Sequence, residues 1–100
     1  MNNKNEILNQ LKILKPIYEK EGLTLLGLFG SYAKDTQTKF SDIDIAYKLD
    51  YNKFSQKYSG GFSKLLRIDD IKKELQNIFK KQVHFVPNSN KIIMKDLIYV

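Results

Sequence analysis

The chain has 100 residues, of which 42% are hydrophobic and 28% charged, and it contains no cysteine. This composition predicts one soluble globular domain over residues 1–100 with a single core. It excludes disulfides, thiolate metal sites and cysteine nucleophiles. No apolar stretch approaches the roughly 20 residues of a membrane span. Because the polar N-terminus also lacks a signal-peptide core, a cytoplasmic location is expected.

The net charge of +6 comes almost entirely from lysine, since Arg67 is the only arginine among 17 basic residues. Phosphate-binding sites often use the bidentate arginine fork, and these lysines are spread along the chain instead of forming one block. A solvated basic surface is therefore favoured over a nucleic-acid interface. A negatively charged substrate or partner is compatible with the charge.

The first elements along the chain are a helix and a strand. Apolar residues recur at helical spacing from about Asn5 to Tyr18. Pro16 should kink or restart this helix, because it lacks the N–H that would bond to Lys12. Residues 23–29 are short and nearly all apolar, which predicts a buried strand.

A glycine-serine turn follows this strand. Ser31 is expected to cap a short helix that extends to Lys34, and residues 36–40 are expected to form a polar loop. Residues 42–47 then alternate acidic and apolar side chains. This period predicts a second strand with Asp42 and Asp44 on one face.

The second half of the chain is less regular. A break is expected at Gly60-Gly61, followed by a helix from about Ile68 to Lys80 or Lys81. Residues 82–86 predict a third strand, and residues 91–100 a last helix capped by Asn88 or Ser89. The order indicates an α/β (α+β) fold, with a small mixed sheet of three or more strands flanked by helices. Such sheets bind ligands at strand ends.

The informative pattern is the glycine-serine turn combined with the later acid pair. Aspartates at i and i+2 on a strand project the same way, roughly 6.5–7 Å apart, and repel each other unless a cation lies between them. Mg²⁺ takes oxygen ligands and keeps water or phosphate in its shell, so Asp42 and Asp44 suit one or two Mg²⁺ ions carrying a triphosphate. Gly30-Ser31 offers N–H groups and a hydroxyl for phosphate oxygens.

Each part of the pattern also has an ordinary interpretation. An acid pair on an exposed strand can simply be solvated, and most glycine-serine turns are only turns. The joint placement beside two apolar strands favours the functional interpretation. A side chain at Gly30 is then expected to block phosphate while leaving the fold largely intact.

The two motifs together resemble the signature of the DNA polymerase β-like nucleotidyltransferase superfamily. Within it, the chain is similar to the minimal nucleotidyltransferases (MNT) of bacteria and archaea, over essentially its whole length. The spacing of the motifs, the chain length and the element order all fit. The residues that carry the resemblance are Leu28-Phe29-Gly30-Ser31-Tyr32-Ala33-Lys34 and Ser41-Asp42-Ile43-Asp44-Ile45.

The resemblance implies nucleotide transfer from a nucleoside triphosphate, expected to be ATP, with release of pyrophosphate. Asp42 and Asp44 would hold one or two Mg²⁺ ions. The triphosphate would bind Gly30 and Ser31, with Lys34 and Ser41 as further candidate contacts. MNT proteins are often encoded beside HEPN ribonucleases and adenylylate one of their tyrosines. An antitoxin with a HEPN-type partner is therefore expected, and an oligomer is possible.

The chain departs from the family pattern at two places. Lys34-Asp35 stands where Arg-Gly is usual, although aspartate tolerates a positive φ. His84 stands where a later strand usually carries a third carboxylate. Imidazole suits Zn²⁺, Cu²⁺ or Ni²⁺ better than Mg²⁺, but it can act as a general base.

His84 therefore leaves two functions open. One is catalysis with His84 as a catalytic residue; the other is a decayed, MNT-like antitoxin that neutralises its partner by binding alone. Asp50 is expected to be a turn residue, with a role as substitute third acid as the alternative.

Overall fold

The fold is a four-stranded mixed sheet with helices packed on it, as seen in a computed structural model that describes residues 3–89, 91 and 93–100. The strand order is β3-β2-β1-β4; β2 is parallel to β3, and the other neighbours are antiparallel. This sheet confirms the predicted fold class. The elements are α1 (Lys4–Glu19), β1 (Leu23–Phe29), α2 (Gly30–Lys34), β2 (Ile43–Leu49), α3 (Tyr51–Lys57), α4 (Gly61–Phe79), β3 (Val83–Pro87), a 3₁₀ helix (Ile93–Asp96) and β4 (Ile98–Tyr99).

Helix α1 begins with a capping box. Asn3 Oδ1 accepts the Glu6 N–H at 2.9 Å, and Glu6 Oε1 accepts the Asn3 N–H at 3.1 Å. These two bonds satisfy backbone donors that a helix start leaves without partners. The helix then runs through Pro16 to Glu19 as one element, so the expected restart does not occur.

A bulge in β1 decides which side chains of this strand face the helices. Leu25 pairs with Tyr47 while Gly27 pairs with Ala46, so Leu26 is an extra residue in the ladder. Because the bulge shifts the alternation by one, Leu25 and Leu28 both pack in the core. The same face is covered by buried residues of α1 and α4, namely Ile7, Leu11, Leu14, Tyr18, Ile71, Leu75 and Phe79.

The C-terminal helix predicted over residues 91–100 is wrong. The described part of this segment forms the short 3₁₀ helix and strand β4. Ile98, Tyr99 and Val100 are β-branched or aromatic residues that favour a strand, and the free edge of β1 provides partners for their backbone groups. Ile92, which the predicted helix also included, lies outside the described residues.

Gly27 allows β4 to approach β1 closely. A Cβ atom at this position would lie 1.9 Å from the carbonyl oxygen of Ile98. The Val100 N–H donates to the Leu26 carbonyl at 2.9 Å and continues the pairing past the end of β4. The sequence signal for this edge strand was the glycine inside an apolar strand, which often marks a close backbone approach.

Two helices, α3 and α4, connect β2 to β3 along the chain. Asp50 is the N-cap of α3, where its side chain accepts the Lys53 N–H at 3.2 Å. Helix α4 begins at Gly61, well before the predicted start near Ile68, and Gly60 is its N-cap. Neither helix, nor any other in the described ranges, is long and apolar enough to cross a membrane.

A charged cluster joins α1, α3 and α4 at one end of the sheet. The Arg67 guanidinium lies 2.7 Å from Glu21 Oε2 and 2.9 Å from Glu74 Oε2. The hydroxyls of Tyr18 and Tyr58 donate to Glu74 and Glu21, respectively. The Arg67 side chain is only 18% exposed and Glu21 only 11%. Arg67 and Tyr58 together hold the pKa of Glu21 below its ordinary value, against the effect of burial.

We expect Arg67→Ala to lower the free energy of unfolding by about 2 kcal/mol, because it leaves the shielded carboxylate of Glu21 and the half-exposed carboxylate of Glu74 without their cation. Lys73→Ala is the control, since it removes an exposed ion pair with Asp69 and should change stability little. Urea denaturation of both variants and the wild type measures the difference.

The same comparison has a pH dependence. A depressed pKa of Glu21 stabilises the fold fully above its ordinary value of 4.5, and this contribution is lost as the pH falls through the folded-state pKa. The advantage of the wild type over Arg67→Ala should therefore shrink below pH 4.5. A loss no larger than that of Lys73→Ala at neutral pH would show that the cluster does not stabilise the fold.

Candidate active site

The centre of the site is a row of three side chains across the sheet. Phe29, Asp44 and His84 are paired neighbours on β1, β2 and β3, and their face is opposite the one that α1 and α4 cover. His84 Nδ1 lies 3.1 Å from Asp44 Oδ1, and its ring centroid lies 6.4 Å from that of Phe29. The structure thus brings the predicted His84 into contact with the predicted acid.

Gly30 and Asp44 are packed directly against each other. Gly30 has φ +73°, and a Cβ atom there would lie 2.1 Å from Asp44 Oδ2. Only glycine combines this backbone conformation with this approach. The turn and the acid are therefore one packed unit. The expectation that a side chain at Gly30 leaves the fold largely intact stays a prediction, and the structure adds two costs to it: backbone strain at a positive φ and a collision with the Asp44 carboxylate.

The two aspartates differ in environment. Asp42 is exposed and directly precedes β2, while the side chain of Asp44 is 19% exposed. Burial raises the pKa of the Asp44 carboxyl, and the negative charge of Asp42 raises it further. The hydrogen bond and charge of His84 act in the opposite direction. Asp42 is thus close enough to Asp44 for the two carboxylates to repel, which favours a cation beside them.

Ser31 lies within the first turn of α2 and does not cap it. Phe29 is the N-cap and makes no side-chain capping bond, so the predicted capping role of Ser31 is wrong. The helix begins one residue earlier, at Gly30, whose φ of +73° turns the chain out of β1. The carbonyl of Ser31 accepts the Thr36 N–H at 2.9 Å, which closes the end of this short helix.

The Lys34-Asp35 pair keeps the shape of the turn. Asp35 adopts φ +58°, as expected for an aspartate in place of the usual glycine. Its carboxylate pairs with Lys4 at 2.9 Å. Lys34 Nζ lies 3.5 Å from Asp96 Oδ2, and both side chains are more than half exposed. Such an exposed ion pair contributes little binding energy. It therefore does not prevent Lys34 from leaving Asp96 to contact a nucleotide.

Ser41 holds the loop in front of β2. Its hydroxyl oxygen accepts the Thr38 N–H at 2.9 Å, and its own N–H donates to the Thr38 carbonyl at 3.1 Å. These bonds position the backbone that leads into Asp42. The structure therefore gives Ser41 a role in loop geometry, beside the predicted contact with nucleotide.

Asp50 does not belong to the site. It caps α3 at the far end of β2, six residues beyond Asp44, which corresponds to roughly 20 Å of extended chain. The alternative that Asp50 replaces the missing third carboxylate is therefore wrong.

The donors that the site offers to a cation are two carboxylates and one imidazole. Across residues 3–89, 91 and 93–100, no three His, Asp, Glu or Cys side chains gather as a metal-binding group. Carboxylate oxygens from Asp42 and Asp44 fit Mg²⁺, whose other ligands are commonly water and phosphate. The imidazole of His84 does not fit Mg²⁺ and is already bonded to Asp44. The donor set suits one hard cation better than two.

Phe29 is the site residue that the sequence did not assign. It ends an apolar strand and seemed to be one more core residue, yet it neighbours Asp44 and His84. Its place depends on the bulge at Leu26. Two sequence signals pointed to it: its place before Gly30 in the motif, and Gly27, since a glycine inside a strand often accompanies a bulge.

Comparison with known proteins identifies the class to which this site belongs. Residues 7–99 match the family described as "Nucleotidyltransferase domain", so the chain belongs to the nucleotidyltransferase family. The chain is also 41% identical over 91 residues to "Putative protein adenylyltransferase MJ1379" of Methanocaldococcus jannaschii, covering 89% of this chain and 85% of that protein. No solved structure matches the chain. The protein is an enzyme of the nucleotidyltransferase type.

We expect Gly30→Ala to destabilise the fold more than Gly60→Ala. Both glycines have positive φ, +73° and +85°, but a Cβ atom at Gly60 has no neighbour within 4 Å. Gly60→Ala should cost roughly 1–3 kcal/mol of backbone strain, because its φ of +85° and ψ of 147° are almost confined to glycine, and Gly30→Ala should add the collision with Asp44 to its own backbone strain. Thermal denaturation measures both.

A double-mutant cycle isolates the collision. In an Asp44→Ala background, Gly30→Ala should lose at least about 1 kcal/mol less stability than in the wild type, because the carboxylate is gone. Additive effects of the two substitutions would contradict the packing of Gly30 on Asp44.

Proposed function

We propose that this nucleotidyltransferase transfers AMP from ATP to a hydroxyl group of a partner protein, in a reaction that requires Mg²⁺. The observation that carries the proposal is the contact between Asp44 and Gly30. It joins the acid that suits a cation and the turn that suits phosphate at one point of the sheet. A nucleoside triphosphate carries both groups together, so a single ligand would satisfy both halves of the site.

The turn binds phosphate through its backbone. Helix α2 begins at Gly30, and the N–H groups in the first turn of a helix lack intrahelical acceptors. Because Gly30 has no side chain, phosphate oxygens can approach these donors closely. The hydroxyl of Ser31 and the ammonium of Lys34 lie on the same short helix and supply further donors.

Asp42 and Asp44 hold the cation. Asp44 is fixed by Gly30 and His84, while Asp42 is exposed and free to adjust to the incoming ligand. Mg²⁺ bound there would neutralise charge on the leaving pyrophosphate. Without a cation, the two carboxylates would repel both each other and the triphosphate.

His84 is oriented by Asp44. Because an ionised carboxylate only accepts hydrogen bonds, Nδ1 donates to Asp44 and the other ring nitrogen remains available. The imidazole is 66% exposed, so an acceptor hydroxyl can reach it. In the proposed reaction, the acceptor oxygen bonds to the α-phosphorus and the bond to pyrophosphate breaks. The hydroxyl proton passes to His84.

The class of acceptor is supported by the archaeal relative, whose name describes a protein adenylyltransferase. The resemblance to MNT proteins adds a HEPN-type ribonuclease as the partner, which would make this chain an antitoxin. The positive net charge suits an acidic partner surface.

His84 also favours a second candidate function. It occupies the position where the family pattern has a third carboxylate, and it bonds to Asp44 instead of adding an oxygen ligand. A domain of this kind could neutralise its partner by binding alone, without nucleotide transfer.

Calorimetric titration with Mg²⁺ and ATP tests the site. We expect Asp42→Asn and Asp44→Asn each to weaken binding of the complex by roughly tenfold or more, which corresponds to 1.4 kcal/mol. Asp69→Asn, which changes an exposed helix residue, should bind as the wild type does. Equal affinity for all four proteins would remove the acid pair from the nucleotide site.

Transfer of labelled AMP to the co-encoded partner tests the reaction. Wild type should label the partner, and His84→Ala should lower the rate by about 100-fold if His84 takes the proton. His84→Asp replaces the imidazole with an oxygen ligand and should retain Mg²⁺-dependent transfer. If no variant transfers label while the wild type still suppresses partner toxicity, the binding function replaces the enzymatic one.

A further inference from the structure

Phe40 is an exposed aromatic residue in the loop that leads into the acid pair. Its side chain is 83% exposed, the highest value among the large hydrophobic residues of the described ranges. It precedes Asp42 by two positions, a distance of at most about 7 Å along the chain. The ring does not pack in the hydrophobic core, and it has no role in the reaction described above.

The loop around Phe40 is ordered by hydrogen bonds. The Phe40 N–H donates to Thr38 Oγ1 at 3.2 Å, and the Thr38 N–H donates to Ser41 Oγ at 2.9 Å. From the end of α4, Lys81 Nζ donates to the Lys39 carbonyl at 2.9 Å. These bonds fix the backbone that carries the ring, so little loop ordering remains to be done when a ligand binds.

A lysine ammonium lies near the ring of Phe40. Lys39 Nζ lies 5.2 Å from the centroid of Phe40. With 83% of the side chain exposed, the ring retains free surface for a flat group. A flat aromatic ligand that also carries negative charge matches this combination of ring and ammonium. A nucleotide has both properties.

We propose that Phe40 stacks on the base of the bound nucleotide and that Lys39 contacts its phosphates. This proposal rests on the nucleotidyltransferase function proposed above. The phosphate chain would be held by the cation at Asp42 and Asp44, so the base is tethered within reach of a ring two residues away. A neutral aromatic side chain of the acceptor protein would not use the ammonium, which is why the base is the favoured occupant.

A tryptophan at this position provides a direct readout, because the chain contains no tryptophan. ATP should quench the fluorescence of Phe40→Trp through stacking, whereas inorganic triphosphate, which has no base, should leave it nearly unchanged. Phe62→Trp is the matched control, since Phe62 is 76% exposed on α4. The fluorescence of Phe62→Trp should change with neither ATP nor inorganic triphosphate. Equal responses of Phe40→Trp to ATP and to triphosphate would overturn the proposal.

Phe40→Ala gives the energetic test. Its affinity for Mg²⁺-ATP should fall roughly tenfold, while its affinity for Mg²⁺-triphosphate stays the same. Phe62→Ala should change neither. A rise in KM for the acceptor protein without a change in ATP affinity would assign the ring to the acceptor and overturn the assignment to the base.

The outcomes separate this inference from the function on which it rests. ATP binding that depends on Asp42 but not on Phe40 overturns only the stacking role. Failure of the wild type to bind ATP at all overturns both the proposed function and the stacking role.

Discussion

One extra residue in β1, Leu26, determines which side chains of this strand face the core and which face the candidate site. Without the bulge at Leu26, simple alternation from Leu25 would turn Phe29 toward the helices. With it, Leu28 enters the core and Phe29 neighbours Asp44. The strand then ends beside the acid, and Gly30 lies against the carboxylate. Core packing and site geometry therefore depend on the same irregularity in backbone pairing.

Asp44 shows how the site conflicts with the stability of the fold. A half-buried carboxylate is unfavourable when ionised, and burial accordingly raises its pKa. His84 offsets part of this effect by hydrogen bonding, and the close packing of Gly30 leaves the carboxylate little room to move. The result is an acid held in place before any ligand binds, which would lower the reorganisation required for the proposed reaction.

Two clusters of charged side chains lie at different ends of the sheet. Around Arg67, carboxylates and tyrosine hydroxyls satisfy one another and join three helices. Around Asp42 and Asp44, two carboxylates repel each other, and His84 bonds to only one of them, Asp44. The first cluster is complete within the chain and stabilises it. The second leaves two carboxylates that repel each other, which is the feature from which a cation site is proposed.

The sequence by itself determined the fold class, the strands β1, β2 and β3, and the motif in which a glycine-serine turn is followed by Asp42 and Asp44. These features depend on local periodicity and motif spacing, which a linear pattern carries. It did not determine the strand at the C-terminus, the early start of α4 or the place of Phe29. Residues 98–100 become a strand because β1 offers an open edge and Gly27 admits a close backbone. Likewise, only the paired strands show that Asp44 bonds to His84 and packs on Gly30, since strand register and the bulge are settled between distant segments and not within them.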